Sequence, residues 1–222
     1  MVRAGKSRSG PQAEKQSQES SRGHASTPSR GTQSRVIRII GGALRGRRFR
    51  FPDVSDVRPT PDRVRETLFN WLGPRVNGSR CLDLFAGSGA LGLEALSRGA
   101  ASVVFVEQNA AVARALSELV AEWKVQGARI ERADALRFLA GTAEPFDFVF
   151  LDPPFASGAL SQAARLLEQN GWLARDVRIY VECAASGALP ALPASWESLK
   201  AKRAGEVGYY LFAKAARGAE PA

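Results

Sequence analysis

The stretch DLFAGSGALGLEAL, Asp83–Leu96, decides how the rest of the chain is read. It continues an apolar run, Arg80–Leu84, and then sets Gly87, Gly89 and Gly92 ahead of a helix-like segment. Glycines placed after a strand let the backbone turn sharply and approach a ligand, and the helix that follows aims its N-terminal amides at the same spot. The segment therefore reads as a ligand-binding turn between a strand and a helix of an α/β sheet.

Outward from this turn the pattern repeats. Strand-like runs cover Arg80–Leu84, Ser102–Val106, Arg129–Arg132, Asp147–Leu151 and Arg178–Glu182. Helix-like segments start near Ala90, Ala110 and Ala135, and a fourth follows Gly158. Near-continuous apolar strands separated by helices predict an α/β, Rossmann-like fold with a mostly parallel sheet covered on both faces. The stretch SLKAKRAGEVGYYLFAK, residues 198–214, has turn residues between two strand-like runs and predicts a terminal antiparallel hairpin. Upstream, VIRIIGG and RRFRFP read as two short strands around Gly41 and Gly42. In RPTPDRVRETLFNWL the prolines and Asp62 can start a helix, with Val64, Leu68, Trp71 and Leu72 on one face and Arg63, Arg65 and Glu66 opposite.

The glycines alone leave two ligands open. Gly87, Gly89 and Gly92 satisfy G-x-G-x-x-G, with Glu107 twenty residues past Gly87, as in a dinucleotide fold. Asp83, however, puts a carboxylate at the mouth of the turn. That is a poor neighbour for a pyrophosphate and a good one for an ammonium group. S-adenosylmethionine carries an ammonium and a sulfonium, and no phosphate. Glu107 and Asp134 both follow strand-like runs and should project from the carboxyl edge of the sheet. Glu107 can accept both hydroxyls of a ribose; Asp134 can accept from an adenine amino group or cap the helix that follows it.

Asp152 ends the fourth strand of the sheet and opens the sequence DPPF, Asp152–Phe155. An amino group conjugated to a ring is a weak nucleophile because its lone pair is delocalised. Two acceptors aimed at its N–H bonds favour the charge that develops during attack. The Asp152 side chain and the Pro153 carbonyl can be those acceptors, with consecutive prolines fixing the carbonyl direction. Phe155 offers a flat face for a planar base.

Charge and composition narrow the choice further. The 222 residues carry a net charge of +9, distributed as +4 over residues 1–34, +7 over 35–80 and −2 over 81–222. Residues 1–34 have almost no large apolar side chains and read as a disordered basic tail. Residues 35–80 interleave arginines with apolar positions, the way a folded phosphate-binding surface is written, so a polyanion is the expected partner. Cys81 and Cys183 read as buried free thiols. His24, the one histidine, lies in the tail, so histidine-dependent zinc sites and Ser-His or Cys-His catalysis lack an ordered histidine, and no metal is expected. No signal segment or long apolar run is present, so a soluble, cytoplasmic protein with no membrane contact is expected.

DPPF after a strand, combined with D-x-F-x-G-x-G, resembles the S-adenosylmethionine-dependent amino-group methyltransferases. More closely, RIIGGALRGRRF, RPTPDRVRETLFNWL, CLDLFAGSGALGLEALSRGA, DPPF, NGWL and IYVE together resemble the bacterial small-subunit ribosomal RNA guanine-N2 methyltransferases that modify guanine 966 of 16S RNA. The resemblance spans about residues 35–215. One departure is RPTPD, where RPTTD is the expected form, which touches the contact made by residue 61. The resemblance implies a class I methyltransferase fold with a seven-stranded sheet. It implies that Asp83, Phe85, Gly87 and Gly89 hold the methionine end of the cofactor, Glu107 the ribose, and Asp134 with Ala135 the adenine. Asp152, Pro153 and Phe155 would hold an extruded guanine. Arg38, Arg45, Arg47, Arg48, Arg58, Arg63 and Arg65 are the candidates for RNA phosphate contacts. The expected organisation is a tail (1–34), an RNA-binding extension (35–76), a methyltransferase domain (77–215) and a closing tail (216–222). The expected substrate is 16S RNA in a small subunit or an assembly intermediate, and the expected acting unit a monomer. The alternatives are a DNA or protein amino-group methyltransferase, a NAD-dependent oxidoreductase and a non-catalytic RNA-binding module.

Overall fold

The structure is a computed structural model that describes Met1 and residues 35–51, 60–154, 158–186 and 188–215. The N-terminal tail with His24, the closing tail, Arg58 and Phe155 lie outside the described residues.

An antiparallel hairpin, β1 (Arg35–Arg38) and β2 (Arg48–Phe51), precedes α1 (Asp62–Leu72). Then follow β3 (Arg80–Asp83), α2 (Ala90–Ser97), β4 (Ser102–Val106), α3 (Ala110–Trp123), β5 (Ala128–Glu131), α4 (Ala135–Leu139), β6 (Phe146–Leu151) and α5 (Ala159–Gln169). The chain closes with β7 (Leu173–Ala184), β8 (Trp196–Ala204) and β9 (Val207–Lys214). The large sheet has the order β5-β4-β3-β6-β7-β9-β8. It is parallel from β5 to β7, and β9 joins β7 and β8 antiparallel. This is the expected Rossmann-like α/β arrangement with its terminal hairpin.

Side chains alternate across the sheet and feed two cores. Cys81, Val103, Phe105, Phe148 and Phe150 face one side, which is covered by the N-terminal hairpin, α1, α2 and α3. Leu82, Val104, Val106, Val149 and Ile179 face the other, covered by α4 and α5. Each buried side chain of this size contributes about 1.5–3 kcal/mol. Such a core can carry groups at the sheet edge that oppose folding. Both cysteines are buried and free, and burial pushes the Cys81 thiol up to about 12.

Helix starts follow local chemistry. The Asn109 side chain accepts from the amides of Ala111 (3.0 Å) and Val112 (3.2 Å), which fixes the start of α3. β7 is longer than the apolar run Arg178–Glu182, because Leu173 already pairs with Phe146 before a register shift brings Arg178 opposite Phe148. The exposed Arg175 and Asp176 in that interval hide the early strand from a reading based on hydrophobicity.

The helical-wheel reading of α1 needs a correction. Val64, Leu68 and Leu72 are buried as expected, but Arg65 is also fully buried. The hairpin covers the side of α1 that the wheel leaves to solvent. There the Arg65 guanidinium donates to the Arg38 carbonyl (2.8 Å) and to Asp62 Oδ1 (2.6 Å), with Glu94 Oε2 at 3.9 Å. Glu94, fully buried in α2, accepts from the amides of Ile40 and Gly41 and from Arg98 Nε, each at 2.8 Å. Ser97 continues the clamp, accepting from the Leu44 amide at 2.9 Å. The approach is so close that a Cβ on Gly42, whose φ is +75°, would stand 1.7 Å from the Ser97 carbonyl oxygen.

Removing Glu94 would leave the amides of Ile40 and Gly41 without their acceptor and the buried Arg65 guanidinium without its nearby opposite charge. Glu94→Ala should therefore cost about 3–5 kcal/mol in denaturant unfolding, with loss of hydrogen-exchange protection at Ile40 and Gly41. A variant as stable as the parent would show that the carboxylate does not dock the hairpin.

Candidate active site

β3 and β6 lie side by side where the strand order reverses, since the chain goes from β3 outward to β4 and β5 and returns to β6 and β7. Ligand crevices in open α/β sheets form at this switch point, beyond the carboxyl ends of the strands. Asp83, the last residue of β3, pairs in register with Phe150, so Asp152 follows two residues further along the neighbouring strand. The glycine turn and the DPPF start thus stand side by side at this carboxyl edge, with Asp152 close enough for its charge to act on Asp83.

Within the turn, each glycine has a separate task. Gly87 (φ 49°) donates its amide to Glu107 Oε2 at 2.9 Å, which ties the turn to the end of β4. Gly89 (φ 74°) leads into α2, where a Cβ would stand 2.6 Å from Leu116 Cδ1. Gly92 is a packing glycine: a Cβ there would meet the Phe105 ring at 2.2 Å. Phe85, between Asp83 and Gly87, is half-buried against the core on the α4–α5 side.

Four carboxylates gather at this edge, from four neighbouring strands. Asp83 is 3% exposed, and its Oδ2 accepts the Gly92 amide at 3.0 Å. Burial, then the charges of Asp152 and Glu107, push its carboxyl up to about 7 against that hydrogen bond. Glu107 is nearly buried, and its second oxygen accepts the Asn109 amide at 2.6 Å. Asp152 is half-buried at the rim, next to buried Pro153, and burial pushes it up to about 7 although Thr60 donates to its Oδ2 at 3.3 Å. Glu182, 2% exposed in β7, accepts the Tyr180 hydroxyl at 2.8 Å and is held well above the carboxylate range by burial and by Asp152. Among the described residues, none of the ion pairs involves any of these four acids. Nor do the described residues form a group of acids, cysteines and histidines able to hold a metal ion. The crevice is suited to an organic cation.

Thr60, Tyr180 and Glu182 are additions to the residues singled out from sequence. A carboxylate inside the apolar run IYVEC was the available signal for Glu182; nothing local marks Thr60. Asp134 is exposed, and its Oδ1 accepts the Arg137 amide at 2.9 Å, so it caps α4, while Ala135 beside it is buried. Of the arginines, Arg38, Arg45, Arg47, Arg48 and Arg63 are exposed. Arg38 and Arg48 are cross-strand partners on the outer face of the hairpin, and Arg47 lies over the Trp123 ring at 5.3 Å. Buried Arg65 is withdrawn from any surface contact. Arg38 reaches Asp62 at 3.4 Å, two residues past Thr60, so this face adjoins the crevice.

Fold and site together define a Rossmann-like methyltransferase. Residues 37–213 match the family model described as conserved hypothetical protein 95. The chain is 50% identical over 182 residues to ribosomal RNA small subunit methyltransferase D of Escherichia coli K12, spanning 82% of this chain and 92% of that one. The protein of the same name from Haemophilus influenzae is 44% identical over 180 residues, 79% of this chain and 93% of that one. The solved structure of Escherichia coli yhhF superposes with a TM-score of 0.76 at 48% identity, covering 82% of this chain and 99% of that one. The chain belongs to the ribosomal RNA small subunit methyltransferase D family.

Because the Asp83 carboxyl sits near 7 when folded and near 4 when unfolded, it opposes folding increasingly as pH rises from about 4 to about 7. Asp83→Asn keeps an oxygen for the Gly92 amide and removes the charge. In thermal melts of the ligand-free protein this variant should exceed the parent by several degrees at about pH 8, with the gap closing toward about pH 4. A lower melting temperature at the alkaline end would contradict the assigned strain.

Proposed function

We propose that the protein transfers a methyl group from S-adenosylmethionine to the exocyclic N2 of a guanine in small-subunit ribosomal RNA, guanine 966 of 16S RNA by the family resemblance. The observation that supports this most is the placement of Asp83 and Asp152 at the ends of neighbouring strands, on one crevice.

The residues fit the cofactor. Buried Asp83, without a basic partner among the described residues, suits an ammonium, and binding that cation would relieve its raised carboxyl. Glu107, held by two main-chain amides, keeps lone pairs for a ribose. Asp134 and Ala135 at the start of α4 are the adenine candidates, and Phe85, Gly87 and Gly89 line the methionine end. When bound, S-adenosylmethionine supplies an electrophilic methyl on a positively charged sulfur.

Asp152 and the Pro153 carbonyl accept the two N–H bonds of the guanine amino group and hold the nitrogen facing that methyl. Thr60 fixes one Asp152 oxygen, which leaves the other for the amine. Orientation of the two guests supplies most of the acceleration, and the proton lost by the nitrogen passes to Asp152 or to water. The base must leave its stack to reach this position, with Phe155 as the proposed stacking partner. Arg38, Arg45, Arg47, Arg48 and Arg63 on the hairpin and α1 carry phosphates toward the rim. The proposed acting unit is a monomer. A dinucleotide finds less support, since its diphosphate would face four carboxylates.

Nucleoside mass spectrometry of 16S RNA from cells lacking the protein should show loss of N2-methylguanosine at position 966. Restoring Asp152→Ala should not bring it back, and its methyl transfer in vitro should fall by about 100-fold or more with cofactor affinity retained. Unaltered methylation in the deletion strain would refute the assignment.

A further inference from the structure

Glu182 has been given no part in methyl transfer so far, yet it is among the most buried charged groups of the sheet. Leu151 pairs with Val181, so Asp152 and Glu182 occupy adjacent positions at the ends of β6 and β7. Thr60 donates to Asp152 Oδ2 at 3.3 Å and stands as a hydrogen-bond partner of Glu182 as well. A threonine hydroxyl has a single hydrogen and can donate to only one of two carboxylates. Among the described residues the neighbours that act on Glu182 offer no positive charge: Asp83 faces it from β3 and Tyr180 from β7, while Glu107 stands beyond Asp83 and Tyr209 of β9 beside Tyr180. Two ionised carboxylates here would compete for one hydrogen in a buried place.

We infer that Glu182 is the proton-carrying end of a chain Tyr180–Glu182–Thr60–Asp152, and that through Thr60 it positions Asp152 as the carboxylate presented to the acceptor amine. This rests on the role given to Asp152 above. The hydrogen bonds then run in one direction. The Tyr180 hydroxyl donates to Glu182 Oε1 at 2.8 Å and Thr60 donates to Asp152; with the proton on Glu182, its second oxygen would donate to the Thr60 oxygen and close the chain. Pro61 (φ −57°) keeps Thr60 out of the helix that begins at Asp62, so the hydroxyl is held by a restricted backbone. Burial and the Asp152 charge keep the Glu182 carboxyl above the ordinary range, in line with this polarity. Glu182 is a positioning residue; it acts on the substrate only through Thr60 and Asp152.

The test compares Glu182→Gln, Glu182→Ala, Thr60→Ser and Thr60→Val in methyl transfer to small-subunit RNA across pH, with calorimetric cofactor binding as the folding control. A glutamine amide can accept from Tyr180 and donate to Thr60 as the protonated acid does. Glu182→Gln should therefore keep most of kcat at neutral pH and lack the alkaline decline that ionisation of Glu182 brings to the parent. Thr60→Ser should follow the parent. Glu182→Ala and Thr60→Val should lose about tenfold or more in kcat with little change in KM for the cofactor. Glutamine as inactive as alanine, or a pH profile that glutamine leaves unmoved, would overturn the inference. Infrared spectroscopy reads the proton without turnover: at about pH 8, above Asp83 and Asp152, the parent should show a protonated-carboxyl band that Glu182→Gln lacks. Absence of that band refutes the inference by itself. A parent enzyme that makes no N2-methylguanosine would instead refute the function and leave the infrared result to stand on its own.

Discussion

Four carboxylates share one edge of the sheet with no basic side chain paired to them among the described residues, and the rest of the molecule is arranged around that constraint. Concentrating like charges in a half-buried place opposes folding, as the raised carboxyls of Asp83, Asp152 and Glu182 record. Two hydrophobic cores, one on each face of the sheet, supply the stability that holds them there. The strain has a use. A cation entering the crevice relieves it, so part of the affinity for such a ligand is stored in the free protein.

Glu94 makes the contrast clear. It too is a buried carboxylate, but two amides and Arg98 donate to it and the Arg65 guanidinium stands nearby. Its charge is fully answered within the protein, and its work is to fasten the arginine-bearing hairpin onto α2. That attachment places Arg38 of the hairpin next to Asp62, two residues past Thr60, and Thr60 touches Asp152. Basic surface and reactive edge are joined by a few short contacts at the N-terminus of α1.

Much of this was legible in the sequence because the central sheet is written in local signals. The strand Ser102–Val106 and the helix starts at Ala90, Ala110 and Ala135 coincide with the structure, since β-branched runs and capping residues act within a few positions. A shared sheet edge for the glycine turn and Asp152 was implied by their chemistry, whereas the pairing of β3 with β6 that brings them side by side is seen only in the structure. What escaped depends on contacts distant in sequence. Arg65 reads as exposed on a helical wheel, and only the hairpin lying over α1 buries it. Thr60 reaches Asp152 across 92 positions of sequence, with no period or motif to announce the pairing. Glu182 sat in plain view, and a carboxylate inside the apolar run IYVEC was itself the signal.

The central claim is that cofactor and acceptor base occupy one crevice, a single methyl apart. The most direct measurement is calorimetric binding of a compound that joins guanosine N2 through a short linker to the sulfur position of S-adenosylmethionine. If both sites open onto the same crevice, the joined compound should bind more tightly than the cofactor fragment alone by a factor of about 100 or more. An affinity no better than that of the cofactor fragment would mean that the two sites cannot be filled together, and the account would fail.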